Sequence, residues 1–411
     1  MSVAHRRGPA RGDVHEVVVL GAGYAGAMVA NRTAASLTHA EARRVHVTVV
    51  NPRADFVERI RLHQVAAGTI PSARRPLDAV LHPAVTLLTG TAELVDPDRR
   101  SVRVRTVDGP VELGYDTLVY AVGSRSATQV PGVAAHTHAL ADTDGAEAAR
   151  RHLAGLAPGA RVVVVGGGLT GVETAAEVAE RRPDLAVALV SAGALVGAMS
   201  PRARRAILRR LHALGVEVRE HAAVSEVRHG VLDLEGGSRV PFDACLWSAS
   251  FAVPDLAARS GLPTDARGRL RVSADLTAVG EPDVVGAGDA VVVDGEAGRH
   301  LRMGCAAALP LGAHAARTVL ARLRGEPTTP ASIGYLIQCV SLGREAGIIE
   351  TVHADDSPRG LVVTGRLGAF VKEAVCRFAM NAPLHERTRP GSYRSPRGPR
   401  SVPSPSPVPV P

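Results

Sequence analysis

Runs of apolar residues that end in glycine divide the chain into two similar units. The first run, His15–Leu20, is continuously apolar from Val17, and a second apolar run covers Val45–Val50. Between them, small and apolar residues predict a helix over about Tyr24–Ala35. Continuous apolar runs of this length are typical of strands buried on both faces of a parallel sheet. The opening of the chain therefore predicts a unit of strand, helix and strand.

The same pattern recurs about 145 residues further along the chain. Arg161–Val165 predicts a strand, Gly171–Arg181 a helix and Ala186–Ser191 a second strand. Between the two units, further strands are expected at Val85–Leu88, Ala92–Val95, Ser101–Arg105 and Leu118–Ala121. A strand at Val284–Ala290 and a helix at Ala313–Leu323 indicate a return to the first unit.

A third region covers roughly residues 330–385, with a closing helix expected at Arg366–Met380. Its strands are expected at Gly334–Val340, Ile348–Val352 and Leu361–Thr364. One face of the helix has the large apolar residues, namely Leu367, Phe370, Val371, Ala374, Val375 and Phe378. We expect this face to pack on the protein, with contact to a membrane or a partner as the alternative. Beyond Pro383, Pro, Ser and Arg dominate, so residues 386–411 are expected to be disordered.

Composition excludes several function classes. The net charge is +8, but residues 1–13 and 386–411 hold six of these charges, so the folded body is nearly neutral and no nucleic-acid partner is expected. The four cysteines are widely spaced and have no histidines at zinc-ligand spacing, so no metal site is expected. Neither a signal peptide nor a membrane-spanning run is present, so a cytoplasmic location is expected.

The first glycine-rich motif is Gly21-Ala22-Gly23-Tyr24-Ala25-Gly26, between a predicted strand and a predicted helix. In such a motif the first glycine makes the tight turn, the second lets a pyrophosphate approach the backbone, and the third allows close packing of the helix. The start of the helix then presents free N–H groups to the anion. The motif predicts a dinucleotide site that includes Tyr24 and Ala25.

The end of the second strand departs from the usual pattern. An acidic residue normally binds the ribose hydroxyls there, whereas this chain has Asn51. An amide oxygen can still accept a hydroxyl proton, although without the assistance of a charge. We expect Asn51 to contact the ribose and Arg53 to add a contact.

The second glycine-rich motif is Gly166-Gly167-Gly168-Leu169-Thr170-Gly171, followed by Glu173. Two such motifs in one chain predict two bound dinucleotides, because a relay from a nicotinamide to a flavin needs both. The second strand of this unit ends at Ser191, which neither repels nor recruits a 2′-phosphate. We therefore expect weak discrimination between NADH and NADPH.

Two further segments extend the pattern. Residues 115–123, Tyr-Asp-Thr-Leu-Val-Tyr-Ala-Val-Gly, resemble the segment where flavoprotein chains cross between domains, and residues 284–290, Val-Val-Gly-Ala-Gly-Asp-Ala, resemble a late flavin-binding motif. Together with both glycine motifs in this order, residues 14–380 resemble the pyridine nucleotide-disulfide oxidoreductase superfamily. Within it they are similar to type II NADH dehydrogenases and to ferroptosis-suppressor-like or apoptosis-inducing-factor-like reductases.

The resemblance implies an α/β fold with two nested Rossmann-like dinucleotide-binding domains of the glutathione-reductase type and a small α+β C-terminal region. An FAD-binding domain would cover residues 14–124 and 252–325, and an NAD(P)-binding domain residues 125–251. The C-terminal region would cover residues 326–385.

The resemblance also assigns residues to the cofactors. Asp289, beside Gly288, would bind the flavin chain, and Ala92 would meet the adenine through its backbone. The remaining residues assigned to the FAD site are Ala121, Gly123 and Leu309. Glu173 would lie near the nicotinamide and the flavin, with a carboxylate that merely favours the helix dipole as the alternative.

The segment from Phe56 to Gln64 stands where relatives line the flavin. It has no cysteine, so electrons are not expected to pass through a protein disulfide. His63, Gln64, Arg59 and Arg61 are candidates for the acceptor site or for flavin contacts, and His63 is a candidate catalytic residue. A solvated charged helix face is the alternative for at least two of them.

The acceptor is the least determined part of the function. Ala306 and Pro310 stand where type II NADH dehydrogenases place two glutamines at their quinone site, which puts quinone specificity in doubt. We expect an FAD-dependent NAD(P)H oxidoreductase with a small acceptor such as a quinone, oxygen or a pathway substrate. The alternatives are a biosynthetic tailoring oxidoreductase, a ferredoxin-type reductase, or a redox-sensing protein that turns over slowly. Peripheral contact with the inner face of the membrane and a homodimer are left open.

Overall fold

The computed structural model describes residues 14–399. The elements of the first part of the chain are β1 (His15–Leu20), α1 (Tyr24–Ser36), β2 (Val45–Asn51), β3 (Asp55–Val57), α2 (Leu62–Ala66), β4 (Arg74–Pro76), α3 (Leu77–Val80), β5 (Val85–Thr89), β6 (Thr91–Asp96), β7 (Ser101–Thr106), β8 (Gly109–Gly114) and β9 (Thr117–Tyr120).

The middle of the chain forms a second set of elements. They are β10 (Arg125–Ser126), α4 (Val133–His136), β11 (His138–Ala139), α5 (Thr143–Ala154), β12 (Arg161–Val165), α6 (Leu169–Arg181), β13 (Ala186–Val190), α7 (Pro201–Ala213), β14 (Glu217–Arg219), β15 (Val224–Arg228), β16 (Val231–Leu234), β17 (Arg239–Pro241), β18 (Ala244–Trp247) and β19 (Phe251–Ala252).

The last part completes the first unit and adds the C-terminal region. Its elements are α8 (Leu256–Arg259), β20 (Leu270–Val272), β21 (Thr277–Ala278), β22 (Glu281–Gly286), β23 (Val291–Val293), α9 (Cys305–Leu323), β24 (Ile337–Ser341), β25 (Gly347–Val352), β26 (Pro358–Val363) and α10 (Gly365–Glu386).

Two sheets form the centres of two layered units. The first has the strand order β23-β20-β21-β22-β9-β1-β2-β5, so β22 brings the chain back beside β9 after the second unit. The second has the order β11-β18-β12-β13-β14, with all neighbouring strands parallel. The valines of β1 and β12 are almost fully buried, as expected for strands covered on both faces. The α/β class with two nested parallel-sheet units is thereby confirmed.

Two helices continue through prolines and are longer than the pattern predicts. Helix α9 begins at Cys305 rather than near Ala313 and contains Pro310, while α10 continues through Pro383 to Glu386. A proline removes one backbone donor from a helix, and packing on neighbouring elements can outweigh that loss. Of the helices within residues 14–399, none combines the length and the hydropathy needed to span a bilayer.

Helix α10 does not pack through its large apolar residues, so that prediction is wrong. Leu367, Phe370 and Phe378 are each more than half exposed. The helix rests on β25 through small residues, and a Cβ on Gly368 would collide with the carbonyl oxygen of Gly347. Because this contact brings the helix backbone against the strand, the bulky side chains of the other face point outward.

The expected disorder from residue 386 onward is also wrong for residues 386–399. Glu386 is fully buried and forms an ion pair with Arg32 of α1 at 2.7 Å. Further along, Gly334 donates a backbone hydrogen bond to Pro396, and Gly398 donates one to the hydroxyl of Ser332. These polar contacts order a segment that has few large apolar residues. Residues 1–13 and 400–411, which include the rest of the expected tail, lie outside the described part of the chain.

Candidate functional site

The first glycine-rich turn joins the end of β1 to the start of α1. Gly21 has φ +99°, and a Cβ there would collide with the carbonyl oxygen of Ala121. A Cβ on Gly26 would collide with the carbonyl oxygen of Gly21, so α1 packs directly on the turn. Gly23 is exposed, and an added Cβ would have no atom within 4 Å. The turn therefore leaves space for a pyrophosphate in front of the free N–H groups of the helix.

The second glycine-rich turn repeats this geometry between β12 and α6. Gly166 has φ +133°, and a Cβ on Gly171 would collide with the carbonyl oxygen of Gly166. Gly168 is exposed and has the same open space as Gly23. Leu169 and Thr170 then form the first turn of α6. The residues present fit a second dinucleotide.

Ser191 lies at the end of β13, beside the second glycine-rich turn, and its contact with a nucleotide stays a prediction. This residue is buried directly after β13, and its hydroxyl occupies the space that a side chain on Gly167 would need. Its backbone N–H donates to the carbonyl of Arg219 at 2.9 Å. Neither Asp nor Glu occupies the strand end itself, as the sequence showed.

Asp289 lies in the motif of residues 284–290, in the loop between β22 and β23 of the first unit. One carboxylate oxygen accepts a hydrogen bond from the backbone of Gly304, just before α9, at 2.7 Å. The other accepts from the hydroxyl of Ser124 at 2.7 Å, and Arg59 donates to the Ser124 carbonyl at 2.9 Å. The neighbouring Gly288, with φ +84°, approaches α1 closely. Asp289 is thus in the same half of the fold as the first glycine turn.

At the end of β2, the side chains of Asn51 and Arg53 have partners within the protein, and their contacts with a ribose stay predictions. The side-chain oxygen of Asn51 accepts a hydrogen bond from Ala22 at 3.0 Å, within the glycine turn, although a second lone pair stays free for a hydroxyl. Arg53 is directed toward α5, where it donates to Thr143 at 2.9 Å and pairs with Asp144. The guanidinium therefore connects the two units.

The other residues assigned to the FAD site line the same half of the molecule. Ala92 is half-buried on β6 opposite Val104. Ala121 follows β9 and is buried, and Gly123, two residues later, has φ +68°. Leu309 is buried on α9. Their roles toward a cofactor stay predictions.

Tyr24 supplies an independent indication of a ligand. Its ring is buried edge-on against Phe56, with the centroids 5.1 Å apart. Its hydroxyl has no hydrogen-bond partner among the described residues, which is unusual for a buried polar group. Burial, with the nearby thiols of Cys305 and Cys376 among its smaller causes, raises the pKa of this hydroxyl well above its usual value. An oxygen left unsatisfied beside the first glycine turn fits a site that a cofactor completes.

A buried polar cluster forms where the two units meet the C-terminal region. Glu173 of α6 accepts a hydrogen bond from the backbone of Ser341, at the end of β24, at 3.0 Å. The same carboxylate oxygen is 2.8 Å from the ammonium of Lys372 on α10. The imidazole Nδ1 of His63 on α2 is 3.9 Å from its other oxygen, and His63 Nε2 is 3.4 Å from the Ser341 hydroxyl. These four residues are called the Glu173 cluster below.

The protonation states within the Glu173 cluster follow from burial and charge. Burial lowers the pKa of His63 to about 4, so its imidazole is neutral near pH 7. Burial acts to raise the pKa of Glu173, but the charge and hydrogen bond of Lys372, with the backbone hydrogen bond from Ser341, outweigh it and hold the pKa below its usual value. Burial acts to lower the pKa of Lys372, but neighbouring groups that include Cys339 and Glu173 raise it well above its usual value. The pair is therefore ionised, which keeps a carboxylate and an ammonium in a buried place.

The other candidates from the segment after β3 do not lie on a solvated helix face. Gln64 is buried, and its side-chain oxygen accepts from Arg61 at 3.2 Å. Arg61 also pairs with Glu373 of α10 at 2.8 Å, with a side chain that is 13% exposed. Arg59 is directed to Ser124, as described above. His63 is the member of this group that reaches Glu173.

The two positions that replace glutamines lie in the first turns of α9. Ala306 is exposed and Pro310 is buried one turn later. Since proline has no N–H, the carbonyl of Ala306 has no donor from the following turn. This part of the helix thus offers a backbone acceptor but neither of the two amide side chains.

Sequence reasoning missed Lys372, Ser341 and Ser124. The elements that bring the first two to Glu173 are far apart in the chain, so no local motif marks them. A signal was present, because Lys372 is the only lysine among the 48 basic residues Lys and Arg. A lysine that persists in a chain otherwise restricted to arginine indicates a position that requires a compact ammonium.

Comparisons with known proteins agree with this geometry. The family model for pyridine nucleotide-disulphide oxidoreductases matches residues 15–317. An NADH dehydrogenase-like protein of Mycobacterium tuberculosis is 32% identical over 392 residues, covering 90% of this chain and 95% of the relative. A type II NADH:quinone oxidoreductase of the same organism is 28% identical, covering 72% of this chain and 71% of the relative.

Solved structures show the same fold at lower identity. The sulfide:quinone oxidoreductase of Aquifex aeolicus has a TM-score of 0.76 at 18% identity, covering 92% of this chain and 93% of that one. NDH2 of Plasmodium falciparum in complex with NADH has a TM-score of 0.69 at 14% identity, covering 92% of this chain and 99% of that one.

Proposed function

Because the chain belongs to the pyridine nucleotide-disulphide oxidoreductase family and is an FAD- and NAD(P)H-dependent oxidoreductase, we propose that it reduces a small acceptor of the quinone class. The observation that supports this most is the Glu173 cluster. It places an ionised pair and a neutral imidazole at the junction of both dinucleotide units and the C-terminal region. Buried charge at such a junction is typical of a reaction centre.

Different residues would bind the two cofactors. The first glycine turn, Tyr24 and Asp289 would hold FAD, and the second glycine turn would hold the NAD(P)H pyrophosphate. When bound, FAD supplies the chemistry of accepting a hydride from NAD(P)H and passing the electrons on. Glu173 would orient the nicotinamide end of the site and Lys372 would balance its charge. Keeping both groups buried excludes water from the place of transfer.

The named activities of similar proteins support a quinone-type acceptor for this protein. The relatives and neighbours include an NADH:quinone oxidoreductase, a demethylphylloquinone reductase and a sulfide:quinone oxidoreductase. Ala306 and Pro310 offer no side-chain donor to a quinone carbonyl, so binding should be loose and poorly selective among quinone rings. Losing two hydrogen bonds of about 0.5–1.5 kcal/mol each lowers efficiency by roughly ten- to hundredfold.

The decisive experiment separates the two halves of the reaction under anaerobic conditions. The yellow protein is bleached with NADH or NADPH, and its reoxidation is followed with a short-chain quinone, with oxygen and with a ferredoxin. We expect faster reoxidation by the quinone than by the other two. Reoxidation by the quinone no faster than by oxygen would overturn the proposal, and fast reoxidation by the ferredoxin alone would favour a ferredoxin-type reductase.

A variant of Glu173 tests whether the Glu173 cluster takes part in the reduction of the flavin. Glu173→Gln should slow bleaching by NAD(P)H, because the charge facing the nicotinamide is lost. Glu235→Gln makes the same change at an exposed position in the second unit and should bleach at the wild-type rate. Equal rates for both variants would remove Glu173 from the proposed site.

The exposed face of α10 supports peripheral contact with a membrane, where quinones dissolve. Leu367, Phe370 and Phe378 on α10, and Leu361 on the strand just before it, are all more than half exposed. Exposed apolar groups that form one surface mark an interaction site. Wild-type protein should float with vesicles that contain anionic lipid, and Phe370→Ser should float less. Flotation without this difference, or a concentration-dependent dimer broken by Phe370→Ser, would assign the face to something other than the membrane.

A further inference from the structure

A second buried glutamate, Glu177, lies one helical turn beyond Glu173 on α6. Side chains four residues apart are neighbours on one face of a helix, so the two carboxylates lie on the same side. Glu177 is 1% exposed, and its Oε1 accepts a hydrogen bond from the hydroxyl of Thr69 at 2.6 Å. Its Oε2 is buried without a hydrogen-bond partner among residues 14–399. A buried carboxyl with one unsatisfied oxygen is more stable when it holds a proton.

The charges around Glu177 also affect its pKa. Burial raises its pKa, and the acidic neighbours Glu173 and Glu180 on the same helix add to the rise, which Thr69 and Arg344 reduce without reversing it. The charged or titratable groups of other elements that contact Glu173, Glu177 or Glu180 are Lys372, His63, Arg344 and Arg210. Glu373 in turn lies 4.0 Å from Arg344. Burial and the two acidic neighbours thus favour the protonated form of Glu177 more than in an ordinary exposed glutamate.

The positions of these residues along α6 and its neighbours lead from the interior toward solvent. Glu173 is the buried end, held by Lys372. Glu177 follows one turn away, and the Nε of Arg344 lies 3.2 Å from its Oε1. The Arg344 side chain is 39% exposed. Glu177 therefore stands between the Glu173 cluster and a side chain that reaches water.

The reaction of the proposed function needs a proton from solvent. NAD(P)H, a quinone and one proton give NAD(P)⁺ and a quinol: the hydride brings both electrons and one proton, and water must supply the other. We propose that Glu177 transmits this second proton from solvent to the Glu173 cluster. When its carboxyl releases a proton inward, it takes one from the Arg344 side, so the residue is unchanged after each turnover. This inference rests on the proposed function.

The test uses Glu177→Gln in the full-length flavoprotein. Gln keeps the shape and can still accept from Thr69, but it cannot exchange a proton. Glu345→Gln is the matched control, because it makes the same change in the exposed loop beside Arg344. We expect both variants to be bleached by NADH at the wild-type rate. Reoxidation by a short-chain quinone should slow at least about tenfold in Glu177→Gln alone, with a larger solvent deuterium isotope effect.

A measurement independent of turnover completes the test. In the infrared difference spectrum between the oxidised protein in H2O and in D2O, wild type and Glu345→Gln should show a protonated-carboxyl band that Glu177→Gln lacks. Wild-type reoxidation kinetics in Glu177→Gln, or absence of the band from wild type, would overturn the inference.

Two outcomes separate this inference from the proposed function. If wild type is not reoxidised by quinone, the proposed function fails, while the infrared band still decides whether Glu177 holds an exchangeable proton. If Glu177→Gln does not fold, Thr69→Val removes only the hydroxyl partner. It should shift the band and slow the quinone step by a smaller factor, and an unshifted band would count against the assignment.

Discussion

Removal of residues 386–411 should destabilise the unit that contains the first glycine-rich turn. Glu386 is fully buried and accepts two hydrogen bonds from the Arg32 guanidinium, each of 2.7 Å. It accepts three more from residues 391–393 of its own segment. Arg32 is on α1, the helix whose start forms the first dinucleotide site. A truncation after His385 removes all these partners at once.

The magnitude follows from the burial of both charges. The side chains of Arg32 and Glu386 are 6% and 0% exposed. After truncation Arg32 would keep its hydrogen bond to the Ala313 carbonyl but would lose the carboxylate and the Tyr393 carbonyl. Removing one partner of a buried ion pair costs about 3–5 kcal/mol, because the other charge stays buried without compensation. This is a large share of a typical total stability of about 5–15 kcal/mol.

The assay is urea unfolding followed by flavin fluorescence and by circular dichroism. We expect the truncation after His385 to lower the midpoint and to lose FAD on dilution, and Glu386→Gln to do so less. Truncation after Pro399 is the control, since residues 400–411 consist mainly of Pro, Ser and Val and should not be needed. Wild-type stability and FAD retention after truncation at His385 would refute the reasoning.

The stabilisation that Glu386 contributes should also depend on pH, in a defined direction. Burial acts to raise the pKa of Glu386, but hydrogen bonds from Arg32, Tyr393 and Gly391 hold it below its usual 4.5. A carboxylate with a lower pKa in the folded state stabilises the protein above the unfolded pKa, and this stabilisation declines as the pH falls through the folded pKa. The stability difference between wild type and Glu386→Gln should therefore be constant above pH 4.5 and shrink below it.

Three further predictions concern the cofactors and the acceptor. Gly23→Val should fill the space in front of α1 and yield a colourless protein, and a folded variant with full FAD content would contradict the assignment. Wild type should discriminate between NADH and NADPH by less than about a hundredfold, close to 2.7 kcal/mol, and Ser191→Glu should shift kcat/KM toward NADH. Ala306→Gln, alone and with Pro310→Gln, should raise kcat/KM for quinones by up to roughly ten- to hundredfold, and unchanged values would show that these positions do not face the acceptor.

Local sequence was sufficient for the two dinucleotide units. The turns at Gly21 and Gly166 need glycine at defined spacings because of positive φ and because each following helix packs directly on its turn, and these constraints lie within a few residues. The contacts of Gly21 with Ala121 and of Gly166 with Ser248 come from distant parts of the chain. The strands that precede both turns are continuous apolar runs, and β1 and β12 have the predicted bounds. For this reason the fold class and both cofactors could be predicted.

The Glu173 cluster and the ordering of the chain end were decided by tertiary structure. Lys372 reaches Glu173 only because α10 packs on the C-terminal sheet through small residues, and that packing also leaves Phe370 exposed. Glu386 is ordered by a single buried partner on α1. Periodicity and composition describe average burial along a segment, whereas these contacts depend on individual polar atoms brought together from distant parts of the chain. The sequence therefore determined which cofactors the protein holds, and the tertiary structure decided which charged groups meet in the Glu173 cluster.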